Sequence, residues 1–241
     1  MHYSCGVLVD GFDDPPCCGM TYNPRYYDAL LGGAGLVKAR DLYALHWKRA
    51  DLRSPKARRF LALGKRAGVR LRPVDIRRFE EESKLIWSLF SGAWPATWGF
   101  VPPSVDEFRW MGRQFMRVCD ERLVQFCEVD GEPAGLIFIL PDVNEALRRS
   151  RGRLLPFGWW HLSRIRHTCT RARILLLGVL PKFRGTAIPA AFLQLVDLPG
   201  SDRCTDLEAS WVLEDNLPAL RGLVHLGAKV YKRYRMYEST I

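Results

Sequence analysis

A chain of 241 residues that is 48% hydrophobic and 26% charged has the balance of a globular protein with one or two buried cores, which excludes a wholly disordered chain. Its 36 Lys and Arg against 26 Asp and Glu give a formal charge of +10, which favours polyanions, acidic membrane surfaces or a phosphate-rich ligand without choosing among them. The longest apolar run, Ile174 to Leu180, is far shorter than the roughly 20 residues a bilayer-crossing helix needs, so no transmembrane segment is expected.

The start, Met1-His2-Tyr3-Ser4-Cys5-Gly6, lacks the basic-then-apolar order of a secretion signal. The seven cysteines are scattered, with no Cys-x-x-Cys pair and no His at zinc-finger spacing, so free thiols and no metal site are expected. Together these features read as a soluble cytoplasmic protein.

In chain order, Gly6-Val7-Leu8-Val9 reads as a strand. Asn23-Pro24-Arg25-Tyr26-Tyr27 then opens a short helix ending near Ala34-Gly35, and Leu36 to Tyr43 reads as a second strand. Residues 51–68 are strongly basic, with Ser54 before Pro55 in N-cap order and Gly68 at the end, which predicts a linker helix with a solvated basic face. Val69 to Pro73 alternates as a strand does, and Ile76 to Phe90 has helical spacing. Ser104 and Glu107 form a capping box for the next helix. Leu123 to Val129, Asp130-Gly131 and Ala134 to Leu140 predict a β-hairpin, and an insertion, Pro141 to Arg171, follows it. The apolar Ala172 to Val179 is a buried strand, with helical spacing again over Ile188 to Val196. Asp206 to Leu213 is a strand, Asn216 is a good N-cap for a helix that Gly227 ends, and Lys229 to Tyr237 is the last strand.

Residues 179–189, Val-Leu-Pro-Lys-Phe-Arg-Gly-Thr-Ala-Ile-Pro, thus join a buried strand to a helix start, where main-chain N–H groups attract anions. From Val69 onward the sequence resembles the GNAT superfamily of acyl-CoA N-acyltransferases, whose signature Arg/Gln-x-x-Gly-x-Gly/Ala follows a Val-x-Pro strand end. Arg184-Gly185-Thr186-Ala187-Ile188-Pro189 occupies that slot, with Ala187 in place of the signature's first Gly and Pro189 in place of its last Gly or Ala. The Asn-x-x-Ala pattern of the family, here Asn216 to Ala219, follows at the expected remove.

The resemblance implies an α/β fold, a mixed and mainly antiparallel central sheet flanked by helices. It also implies an N-acyltransferase, in the first instance an N-acetyltransferase, using acetyl-CoA or another acyl-CoA on a small amine or amino-acid-like acceptor. Val179 and Leu180 would meet the acyl-pantetheine arm through their peptide groups, Arg184, Gly185, Thr186, Ala187 and Ile188 would surround the pyrophosphate, and Asn216 would open the helix beside the pantetheine. Where many family members carry a proton-donating Tyr, this chain has Leu223. A catalytically inactive GNAT-like scaffold or protein-interaction module is the alternative.

The order Asn, helix, Gly, strand occurs twice, from Asn23 and from Asn216. That repeat predicts a tandem arrangement, with residues 1–50 the C-terminal remnant of a first GNAT-like domain, 51–68 a linker helix and 69–241 the acyltransferase domain. A self-contained hairpin-like extension competes with it. As a remnant, 1–50 would leave strand edges open unless it docks on the second domain or another chain, which makes it a candidate for self-association.

Amine acylation needs a base, and alternation along residues 207–214 places Glu208, Ser210, Val212 and Glu214 on one side of a strand, with Glu208 the candidate base. In the insertion, Asp142 and Asn144 are candidates to hold the amine, and Phe157, Trp159 and Trp160 to wall an apolar pocket. Ser210 shares the face of Glu208 and joins the acceptor group. Trp98, within Trp94 to Pro102, belongs to a stretch that lids the acceptor cleft in the related family. The aromatic and basic residues 157–167 also admit a membrane-surface or single-stranded nucleic-acid reading. Neither accounts for the strand-turn-helix signature, so a small-molecule acceptor is the expected partner and nucleic acid is not.

Overall fold

The computed structural model describes residues 5–66, 68–95, 97–116, 119–153, 155–186, 188–197 and 204–239. Its strands are β1 (Val7–Asp10), β2 (Leu36–Lys48), β3 (Val69–Pro73), β4 (Val124–Val129), β5 (Glu132–Pro141), β6 (Arg171–Val179), β7 (Asp206–Leu213) and β8 (Lys229–Ser239). They form one 8-stranded sheet in the order β1-β8-β2-β7-β6-β5-β4-β3. Every neighbouring pair is antiparallel except β6 and β7, which are parallel.

The helices are α1 (Tyr27–Gly33), α2 (Pro55–Arg66), α3 (Phe79–Ala93), α4 (Val105–Met116), α5 (Val143–Arg149), α6 (Gly158–Ser163), α7 (Ile165–Thr168), α8 (Ile188–Ala191) and α9 (Leu217–His225). None of them is long and apolar enough to cross a membrane.

Local chemistry sets these boundaries. Asp130 and Gly131, at φ 52° and 82°, make the two-residue turn that the β4–β5 hairpin requires. The Ser104 hydroxyl accepts from the Glu107 N–H at 3.2 Å and caps α4, and Gly227, at φ 96°, ends α9.

Successive residues of β4 and β5 feed opposite faces of the sheet. Phe126, Leu136, Phe138 and Leu140 join Leu85, Ile86 and Phe115 of α3 and α4 on one side, while Cys127, Ile137 and Ile139 meet Ile188, Phe192 and Leu195 on the other. Burying a side chain such as Leu136, which is fully enclosed, contributes about 1.5–3 kcal/mol. With both faces covered, β5 reads as an unbroken apolar run from Ala134 rather than an alternating one.

The N-terminal segment is woven into this sheet. β2 lies between β7 and β8 and extends five residues beyond the expected Tyr43, and β1 pairs with β8 at the edge. Leu42, Ala44 and Leu45 of β2 are fully buried as a result. One expectation needs correction. The helix expected over Ile188 to Val196 is α-helical only to Ala191 and tightens to a 3-10 helix over Phe192–Asp197. Pro189 supplies no N–H to that segment, and burial of Ile188, Phe192 and Leu195 preserves the apolar spacing without the full hydrogen-bond ladder. The insertion also folds, as three short helices, α5 to α7.

Candidate active site

β6 and β7 pair only from Arg171 opposite Asp206 to Ile174 opposite Ala209. Beyond that, β6 stays with β5 as far as Val179, opposite Gly135, and β7 stays with β2 as far as Leu213, opposite Leu42. The two parallel neighbours therefore part over Leu175–Val179 and Ser210–Leu213. Among the described residues their facing edges have no strand partner there, which is the main-chain geometry an extended ligand arm can pair with.

The turn after β6 lies at the open end of this gap. Pro181–Phe183 is a single 3-10 turn, Arg184 is extended, and Gly185 has φ 78°, a conformation glycine adopts without strain. The Thr186 hydroxyl donates to the Phe183 carbonyl at 2.7 Å, and Ile188 begins α8. The end of α3 is bolted to the same region. Arg184 Nη2 donates to the Ala93 carbonyl at 2.6 Å, and the Trp94 ring covers Gly178, where a Cβ would lie 2.5 Å from the indole.

At the closed end, alternation on two strands builds a buried polar layer. Arg171 and Arg173 share one face of β6, Glu208 and Ser210 share the same face of β7, and the parallel register sets Arg173 beside Glu208. Glu208 is fully buried and accepts from Ser210 Oγ at 2.6 Å, from Arg171 Nη2 at 3.1 Å and from the Tyr231 hydroxyl. Arg173 donates from Nε to Ser210 Oγ at 3.0 Å and from Nη1 to the Cys18 carbonyl at 2.8 Å. Burial, together with the neighbouring Glu208 charge, pushes the Tyr231 phenol well above its ordinary value, so it holds its proton.

Over this layer runs the loop from Gly11 to Asn23. Asp142, fully buried, accepts from the Cys18 N–H at 2.9 Å and the Asn144 N–H at 3.2 Å, and Asn144 Nδ2 donates to the Pro16 carbonyl at 3.0 Å. Burial raises the Asp142 carboxyl above its ordinary value despite those two N–H donors and the nearby Arg171 charge. Cys17, Cys18 and Asp142 each bring a metal-ligating atom within 4.8 Å of the others. Beside this group the Arg173 guanidinium is held on the Cys18 carbonyl.

No family model matches the chain. It is 36% identical over 245 residues to the bacterial ceramide synthase of Caulobacter vibrioides, a match covering 98% of this chain and 63% of that protein. The chain thus spans less than two thirds of that relative's length. A GCN5-related N-acetyltransferase from Sphaerobacter thermophilus superposes with a TM-score of 0.58 at 17% identity, over 92% of this chain and 56% of that one. A tandem GNAT protein from the clavulanic acid biosynthesis pathway superposes with a TM-score of 0.53 at 15% identity, over 96% and 62%. The chain has the GNAT fold.

Within the GNAT fold, the expected cofactor residues are gathered at one end of β6. Leu180 donates its N–H to the Ala134 carbonyl at 2.9 Å and accepts from the Phe183 N–H at 2.9 Å, so both its peptide groups are taken within the protein. Val179 ends the strand opposite Gly135, and Gly185 and Thr186 form the turn. Ala187 lies outside the described residues. Asn216 caps α9, accepting from the Ala219 N–H at 3.4 Å, and Leu223 packs with the Leu45 and Trp47 cluster.

The expected acceptor residues are divided. Glu208, Ser210 and Asp142 share the buried layer, with Asn144 at its margin. Phe157 is 70% exposed on the outside of α6, and Trp98 is 36% exposed with Arg40 stacked 5.8 Å over its ring. Arg171, Arg173, Tyr231, Cys17 and Cys18 were not anticipated as a group. The i, i+2 spacing of Arg171 and Arg173 beside that of Glu208 and Ser210 carried the signal for the arginines, but only the parallel register brings the two strands together.

Proposed function

We propose that this chain provides the acyl-transfer region of an acyl-CoA-dependent N-acyltransferase whose acceptor is a long-chain amino alcohol. The parting of β6 from β7 beside the Gly185 turn carries this reading. The acyl-pantetheine arm runs along the open strand edges, and the main chain of Gly185, Thr186, Ala187 and Ile188 meets the pyrophosphate, with Asn216 and α9 bordering the arm. The likeness to the Caulobacter ceramide synthase supports a fatty acyl group and a lipid amine over acetyl-CoA and a small amine, because a ceramide is an amide of that kind.

The amine must lose a proton as it attacks the thioester carbonyl. Glu208 is the proton acceptor, reached through the Tyr231 hydroxyl that donates to it. The amine proton passes to the Tyr231 oxygen as the phenolic proton passes to Glu208; when the C–S bond breaks, Tyr231 gives a proton to the departing CoA sulfur and recovers its own from Glu208, and Arg171 stabilises the carboxylate between turnovers. Residues 1–50 are the closing elements of a first GNAT-like unit, a reading the likeness to a tandem GNAT protein supports.

A second reading is a non-catalytic GNAT-like module that binds a partner or a second copy through residues 1–50. What favours it is α1, which buries none of its residues and leaves Leu30 59% exposed. One assay separates the readings: release of free CoA thiol from acetyl-, octanoyl- and palmitoyl-CoA, with a long-chain amino alcohol or a small amine as acceptor. Thiol release with the long acyl donor and the long amine supports the first reading. Absence of both release and acyl-CoA binding in folded protein removes it and leaves the second.

A further inference from the structure

The insertion between β5 and β6 presents an apolar tip inside a field of arginines. Leu155, Phe157, Trp159 and Trp160 are 76%, 70%, 54% and 48% exposed. Their orientation is fixed from beneath, where Ile165 and Leu162 pack on Ala146 and Cys169, so the opposite side of α6 turns outward. The two indoles meet edge to face at 6.1 Å, and Trp159 Nε1 donates to the Pro156 carbonyl at 2.8 Å. That bond satisfies the polar atom of the Trp159 ring within the protein and leaves its apolar surface facing solvent.

Charge along the insertion after Glu145 has one sign. From Ala146 to Thr170 the sequence contains six arginines and no Asp or Glu. Arg148, Arg149, Arg151 and Arg153 are exposed, and none of the four pairs with a carboxylate among the described residues. Arg164 stacks 5.0 Å over the Trp160 ring. Glu145, the nearest acidic residue, is buried and holds Thr170 through both oxygens, at 2.9 and 2.7 Å.

We propose that this tip docks on the surface of an anionic lipid bilayer, with Leu155, Phe157, Trp159 and Trp160 at the headgroup–acyl boundary and Arg148, Arg149, Arg151 and Arg153 on lipid phosphates. Tryptophan with an apolar body suits that boundary, and unpaired arginines at the same depth match its negative potential. Neither element suffices alone, since a short apolar tip inserts little area and a basic patch is screened by salt. The site is distinct from the CoA turn, which lies at the other end of β6. Arg148 and Arg151 also line a cleft of about 440 Å³ with Pro15, Pro16 and Asn144, beside the loop over the buried polar layer.

The inference does not depend on acyl transfer, and its test uses no substrate. The full chain is sedimented with vesicles of phosphatidylcholine alone or with about a third phosphatidylglycerol, in about 0.1 M and then about 0.5 M salt. Expected is binding at least about tenfold tighter to the anionic vesicles, weakened at high salt, and weakened about tenfold by Phe157→Ser with Trp159→Ser and Trp160→Ser. Arg148→Gln with Arg149→Gln, Arg151→Gln and Arg153→Gln, which alters only exposed side chains, is expected to remove the preference for phosphatidylglycerol. Equal binding to both vesicles, or anionic binding unchanged in the arginine variant, overturns the proposal. So does a doubled solution mass that the serine variant abolishes, which would assign the tip to a second copy, or a single-stranded oligonucleotide outcompeting the vesicles.

Discussion

Arg171 and Glu208 form an ion pair across the parallel strands, Nη2 to Oε2 3.1 Å, with the carboxylate side chain 0% and the guanidinium 12% exposed. The pair lies where β6 and β7 are still joined, so it holds the root of the gap. Breaking a buried pair from one side strands the other charge and costs about 3–5 kcal/mol, whereas replacing both partners with apolar residues is often neutral. Arg171→Met is therefore expected to lower the urea midpoint strongly, and Arg171→Met with Glu208→Leu to recover most of the loss. Equal losses in the single and double variants would show that packing, not charge, holds the strands.

Gly178 and Gly185 flank the end of β6 and are glycines for different reasons. At Gly178 a Cβ would lie 2.5 Å from the Trp94 ring, so Gly178→Ala must displace the indole, and Trp94→Ala in the same chain should restore part of the lost stability. At Gly185 the space is open, but φ is 78°, so Gly185→Ala costs about 1–2 kcal/mol through the backbone alone. Thermal unfolding of wild type and of each glycine variant, with and without Trp94→Ala, separates the cases: only Gly178→Ala should recover stability on removal of Trp94.

Much of this architecture could be read in the chain because it is local. The Asp130-Gly131 turn, the Ser54 and Ser104 caps and the 206–213 strand depend on residues within a few positions of each other. The insertion of β2 between β7 and β8 does not. Leu36 to Tyr43 reads as a strand in sequence, but the strand's full length and its neighbours are chosen by pairing more than 150 residues away, as Lys48 with Asp206 shows. The buried layer was half legible for the same reason: alternation put Glu208 and Ser210 on one face, while Cys18 and Asp142 meet only through a backbone N–H bond spanning 124 positions. Phe157 was assigned to a pocket on its type, and packing of Leu162 and Ile165 beneath α6 turns it outward.

Asp41 on β2 and Arg235 on β8 tie the N-terminal strand to the last one. Burial works to raise the Asp41 carboxyl, but Arg235, donating at 2.9 Å, and Lys38, at 3.1 Å, outweigh it and hold the carboxyl below its usual value. A depressed folded value means stability that is present above the unfolded carboxyl, about pH 3.9, and lost as pH falls through the folded one. Asp41→Asn should therefore unfold more easily than wild type at neutral pH, with the difference shrinking below about pH 4. A constant difference down to about pH 2 would assign the effect to geometry.

Asp142 titrates in the opposite sense. Its folded carboxyl is raised by burial, so the folded state binds a proton at a pH where the unfolded chain has released one. The charged form is penalised in the folded protein, fully so above the folded value, and the penalty disappears as pH falls toward the unfolded value of about 3.9. In Asp142→Asn the amide oxygen can still accept from the Cys18 and Asn144 N–H groups, while the buried charge is gone. The variant should be at least as stable as wild type near pH 7, and its advantage should shrink as pH falls through the raised folded value and the wild-type carboxyl takes up its proton. Urea midpoints at several pH values test this, and a variant less stable at every pH would mean that the carboxylate charge, and not only the Oδ1 acceptor, holds the Cys17–Cys18 loop over the polar layer.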